Sequence, residues 1–112
     1  MKIKLTRELS VRGESLTELE LDLDKLTGQD IIEVEKQIDT AGDGRALVLP
    51  EYSKVYLAAV AARALKVPRE ALNMLTARDF PRLTQAVQNF LMRPDLETEE
   101  DLKAEETVRR KS

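Results

Sequence analysis

The sequence predicts an α+β fold: an N-terminal β-hairpin packed on a three- to four-helix, mainly α body, followed by a charged C-terminal tail. Three observations carry this. Leu19, Leu21 and Leu23 alternate with Glu20, Asp22 and Asp24, the period of a half-buried strand. Apolar residues then recur at helical spacing in the later segments, separated by Gly and Pro stops. Finally, residues 95–112 hold seven acids and four bases but few sizeable apolar groups.

The hairpin is expected over residues 2–24. Ile3, Leu5, Leu9 and Val11 share one parity and so one face of the first strand. Arg12-Gly13-Glu14 opens the turn, near residues 12–15, with Gly able to take positive φ. Acids are poor strand formers, but on the outer face they discourage edge pairing.

A first helix is expected over 28–41. Thr27 is a good N-cap, and Asp30 three residues later completes an approximate capping box. Its apolar stripe is Ile31, Val34, Ile38 and Ala41, with Ile32 widening it, and Gly42 stops it.

Pro50 is placed to open a second helix over 51–66. That helix is apolar nearly all round and holds five alanines between residues 58 and 64. Such a helix belongs in the core or on a self-association surface, which would make the protein a homo-oligomer.

Pro68 ends that run and starts a short helix over 69–75. A last helix is expected over 80–92, capped by Asp79 in preference to Thr76, with Pro81 in its first turn. Phe80, Leu83, Val87, Phe90 and Leu91 form its stripe. Residues 1–94 thus read as one domain, and 95–112 as a disordered tail or an isolated helix.

Composition excludes much chemistry. The chain has 112 residues with no His and no Cys, so the common zinc, haem and iron–sulfur ligands are missing. Ser–His and Cys–His nucleophile pairs are missing too, and no disulfide can form. No cofactor, no metal site and no enzyme activity are expected. Paired acids such as Glu20 with Asp22 fall on outward faces, where nothing raises one pKa for acid–base work. Gly42-x-Gly44 lacks the Lys-Ser/Thr of a phosphate loop.

The net charge is −3, yet residues 1–94 hold 14 bases and 14 acids, so the tail carries the excess. A neutral body argues against nucleic acid as the main ligand. Arg63, Lys66 and Arg69 form one local basic cluster that could bind an anion. The N-terminus has no continuous apolar run of a signal peptide, and Val55 to Leu65 is too short to span a bilayer. A cytoplasmic protein is expected.

Tyr52 and Tyr56, four residues apart, are a candidate contact pair, since Tyr is enriched at binding hot spots. The order of segments carries a resemblance. A hairpin is followed by Leu26-Thr-Gly-Gln-Asp-Ile31. An alanine-rich helix follows, with Tyr52, Tyr56, Leu57, Ala58 and Ala59. Then come Leu75 to Phe80, and Val87 to Leu91. Over residues 3–92 this resembles the small tail assembly chaperones of long-tailed bacteriophages and prophages, the Mu-like "E or 41 or 14" type.

The resemblance implies a binding role without catalysis. Such chaperones hold the tape measure protein soluble before the tail tube forms, work in the cytoplasm of the bacterial host, and are absent from the finished virion. Many also occur in a longer, frameshifted form that recruits tail tube protein. Tyr52, Tyr56, Ala59, Arg63 and Phe90 are the nominated contacts; Ala59 and Phe90 also fit plain core positions. The alternative is a small nucleic-acid-binding regulator using helices 51–66 and 69–92 as a helix-turn-helix.

Overall fold

The computed structural model describes residues 1–42, 47–50 and 53–92. Among the described residues, an antiparallel hairpin of β1 (Lys2–Val11) and β2 (Glu14–Glu20) is followed by four α-helices. These are α1 (Gly28–Thr40), α2 (Lys54–Leu65), α3 (Arg69–Leu72) and α4 (Asp79–Leu91). The expected tail at 95–112 lies outside the described residues.

The hairpin turn is two residues long. Val11 pairs with Glu14, and Arg12 and Gly13 both take positive φ, at 52° and 83°. Turns of that hand match the right-handed twist of the flanking strands. β2 stops at Glu20, earlier than the alternation suggests, and Leu23–Lys25 form a 3-10 turn. Leu19, Leu21 and Leu23 are nevertheless all buried, so their period reports burial correctly across a break in the strand.

The ladder is irregular in the middle. Lys4 pairs with Glu18, but Leu9 pairs with Leu16. β1 therefore carries extra residues around Thr6, a bulge that releases the Thr6 N–H from the ladder. The odd shift also sets Leu16 and Leu19, of opposite parity on β2, against the core-side residues Leu9 and Ile3.

α1 begins as expected. The Thr27 hydroxyl accepts from the Asp30 N–H, and the Asp30 carboxylate accepts from the Thr27 N–H at 2.8 Å. Val34 and Ile38 are buried. Ile32, expected to widen the stripe, is instead exposed, and Ala41 is the exposed C-cap. One residue round from Ile31 is a turn of about 100°, enough to carry Ile32 off the buried side.

α2 starts at Lys54, not at Glu51. Ser53 is its N-cap, its hydroxyl accepting from the Tyr56 N–H at 3.3 Å. A hydroxyl at that position satisfies a first-turn donor, which Pro50 has no side-chain group to do. Seven consecutive residues, Tyr56 to Ala62, are buried. α1, α3 and α4 all pack on this helix, so it is the central core helix. Val55 alone of its early apolar residues is exposed. Lys66 ends the helix in the left-handed region, and the Val67 N–H reaches back to the Ala62 carbonyl.

α3 is shorter than the expected 69–75, because its last turn tightens to i→i−3 bonds that run to Leu75. Pro68 caps it without lying inside it. The start of α4 also differs from the expectation. Thr76 is the capping hydroxyl, accepting from the Asp79 N–H at 3.0 Å, and Asp79 is the first helical residue. Asp79 is recruited elsewhere: its carboxylate accepts from the Thr6 N–H and hydroxyl. Leu83 and Val87 are fully buried, while Phe80, Phe90 and Leu91 are half-buried. Full burial of a side chain such as Leu83 contributes about 2 kcal/mol before entropy.

Candidate partner-binding surfaces

The nominated contacts separate into three places. Tyr56 is buried in the core. Its membership of α2 decides this, because α2 is enclosed on its Tyr56 side as well as its alanine side. Tyr52 lies outside the described residues, so the Tyr52–Tyr56 pair does too. Ala59 and Arg63, one helical turn apart, line one cleft, and Phe90 lines a separate groove.

The cleft lies where α1, the end of α2 and the start of α3 meet, and its volume is about 680 Å³. Ala59 and Ala62 form part of its floor, since both are buried yet line it. Small side chains there give the cleft its depth. Lys25, Arg63, Lys66 and Arg69 supply its bases, and Asp22 and Asp30 its acids. The cluster Arg63, Lys66 and Arg69 that the sequence suggests therefore exists as one lining.

Asp30 organises one wall. Its carboxylate accepts from the Thr27 N–H and, at 2.9 Å, from the Nε of Arg63, 33 residues on. The Thr27 bond and then the Arg63 bond hold its pKa below the ordinary carboxylate value, against a smaller effect of burial. The Arg63 pairing fixes one nitrogen of a guanidinium that has five N–H donors.

The groove lies along α4, with a volume of about 600 Å³ and a mainly apolar lining. Phe90, Ala86, Pro81 and Met1 provide the apolar surface, and Arg82, Gln85 and Asn89 the rim. Gln85 donates to Asn89 at 2.9 Å, one turn apart, so the rim is ordered along the helix.

Among the described residues, no group of three or more acids lies together as a metal site would need. No described helix is long and apolar enough to cross a membrane. The Thr6–Asp79 contact and the Asp30–Arg63 contact had no sequence signal. Each joins residues that have a sufficient local explanation as caps or solvated charges. The groove had a partial one, since Phe90 belongs to the apolar stripe of α4 and Pro81 and Ala86 lie beside it.

Residues 2–92 match the family model described as phage tail assembly chaperone proteins, E, or 41 or 14. No curated protein and no solved structure matches the chain. The matched span begins with β1 and ends one residue past α4.

Proposed function

Because the chain belongs to the phage tail assembly chaperone family, we propose that it binds the tape measure protein and keeps it soluble while the tail tube assembles. The observation that carries this is the extent of the match, which takes in the whole described fold and not one motif. The family is a non-enzymatic kind of protein. The protein thus acts by binding, in the host cytoplasm, and leaves before the virion is complete. Tail tube protein is a second partner in this reading.

The groove on α4 is the contact surface we assign to the tape measure protein. A long apolar helical partner needs a seam at helical spacing, and Ala86 and Phe90, four residues apart, supply one beside Pro81 and Met1. Of the nominated residues, Phe90 is the one this assignment keeps at the interface. Tyr56 supports it only indirectly, from within the core.

Co-expression with the product of the next long downstream reading frame, followed by tag pull-down, tests the proposal. A complex that persists at high salt is expected, because apolar contacts strengthen or hold as salt rises. Recovery of nucleic acid that is lost at high salt would favour the regulator reading instead. No complex at either salt concentration would overturn the chaperone assignment for this partner.

A further inference from the structure

The groove on α4 is built from two elements. Besides the residues of α4, Met1 lines it. Met1 belongs to the hairpin: its carbonyl accepts from the Leu21 N–H at 2.7 Å, and its amino group donates to the Leu21 carbonyl at 3.2 Å. This exchange adds one pair to the β1–β2 ladder, so Met1 moves with the hairpin. Among the described residues, the hydrogen bonds of Met1 all stay within residues 1–21. Its place beside α4 is therefore set from elsewhere.

β1 lies antiparallel along α4. Thr6 bonds to Asp79, Lys4 bonds to Arg82 one turn on, and Met1 shares the groove lining with Gln85, Ala86 and Phe90. The apolar burial of Ile3 and Leu19 holds the hairpin to the body but is non-directional. Hydrogen bonds are directional, and they cluster at Thr6 and Lys4. The Asp79 carboxylate, fully buried, accepts from the Thr6 N–H and hydroxyl. Arg82 Nη1 donates to the Lys4 carbonyl at 2.8 Å and to Asp79 Oδ1 at 3.2 Å. A buried charge is tolerated only with such donors in place, which ties the seating of the hairpin to the carboxylate. Arg82 itself lines the groove, whereas Thr6 and Asp79 do not.

With the tape measure protein as the groove's occupant, as proposed above, we infer that Thr6 and Asp79 are positioning residues for that contact. They seat Lys4 and Arg82, and through them set the Met1 wall against α4. The groove exists only while the hairpin is seated. Binding and seating are then linked: a partner held only by the seated form holds the hairpin seated in return.

Competition measures the positioning. A complex is formed between the product of the next long downstream reading frame and tagged native chain, and untagged variants displace the tagged chain at a temperature where all are folded. T6V replaces the hydroxyl by a methyl group, and T6S keeps the hydroxyl. V34A opens a cavity in α1, away from the groove. D79N and T6V are expected to need about fivefold more protein or greater for half displacement. T6S and V34A are expected to match the native chain within about twofold, although V34A lowers Tm. Hydrogen exchange reads the linkage in the native chain. The Val34 amide, in the middle of α1, reports global opening. Partner binding is expected to slow the Thr6 amide by the same factor as the Val34 amide. Unchanged affinity in D79N and T6V would overturn the inference. So would equal losses in V34A, a T6S chain as weak as T6V, or a Thr6 amide that keeps its rate while Val34 slows. Each of these outcomes requires a complex with the native chain. A native chain that forms none overturns the tape measure reading itself, and this inference with it.

Discussion

Asp79 holds Thr6 by two hydrogen bonds across 73 residues of sequence: its carboxylate accepts from the Thr6 N–H at 2.8 Å and from the Thr6 hydroxyl at 2.9 Å. Thr6 sits in the β1 bulge, where its N–H is free of the ladder, and Asp79 is fully buried at the start of α4. Arg82, one turn on, binds both the Asp79 carboxylate and the Lys4 carbonyl. The contact therefore joins the hairpin to the helical body at a point where the strand pairing is interrupted. D79N removes the charge and makes one oxygen a donor, leaving the Thr6 donors poorly matched. Its Tm is expected to fall by roughly 5–10 °C, checked by thermal unfolding.

The same carboxylate predicts an acid limb of stability. Burial pushes the Asp79 pKa up, but the Thr6 N–H, the Thr6 and Thr76 hydroxyls and the Arg82 charge outweigh it and hold the value below normal. Asp30 is lowered as well, by Thr27 first and Arg63 second. In both cases the unfolded chain takes up its proton at the higher pH. The stabilisation is thus complete above the unfolded value of about 3.9 and is lost as pH falls through the folded values. Urea midpoints for the native chain are expected to drop as pH falls below about 4, and the gap to D79N to narrow there. A gap that stays constant with pH would contradict the assignment.

The alanines of α2 predict intolerance to size. Ala61 is fully buried and Ala58, Ala59 and Ala62 nearly so, in a helix contacted by α1, α3 and α4. A61L is expected to destabilise by about 1–3 kcal/mol through overpacking, read from the urea midpoint. L83A removes a fully buried side chain and is expected to cost about 2–5 kcal/mol. Were α2 a self-association surface, A61L would instead alter the oligomer mass and spare the monomer's stability.

Lys66 predicts a gain. It adopts φ 59° and ψ 41°, a conformation that disfavours a Cβ. K66G is expected to stabilise the fold by about 1 kcal/mol, offset in part by the added freedom of the unfolded chain. Thermal unfolding measures it, and a loss of stability would show that the Lys66 side chain contributes packing of its own.

The groove rim predicts a change in binding without one in stability. Gln85 and Asn89 are exposed and line the groove. Q85K with N89K places two charges beside an apolar seam. A loss of about tenfold or more in partner affinity is expected, with Tm nearly unchanged. Affinity that stays unchanged would move the interface off α4.

What was legible in the sequence was local or periodic. The Thr27–Asp30 capping box needs only residues three apart, and it forms. The apolar run of α2 implies enclosure, and seven consecutive residues are enclosed. The α4 stripe of Leu83 and Val87 is the buried side of that helix. What was not legible depends on distant pairs. Asp79 looks like a cap, and only the arrival of the β1 bulge turns it towards Thr6 and leaves capping to Thr76. Tyr56 looks like a surface aromatic, because nothing in the sequence says which sides of α2 its neighbours cover. The cleft needs Lys25 and Asp30 brought to Arg63 and Lys66, a matter of helix packing that no short-range pattern records.

The proposed role is to keep the tape measure protein soluble by binding it. The most direct test is light scattering of the purified long downstream partner, diluted from denaturant with and without a stoichiometric amount of this protein. Suppressed aggregation and a soluble complex of defined mass are the expected result, with Q85K/N89K protein failing to suppress it. Equal aggregation in both samples, or a partner that stays soluble alone, would overturn this role.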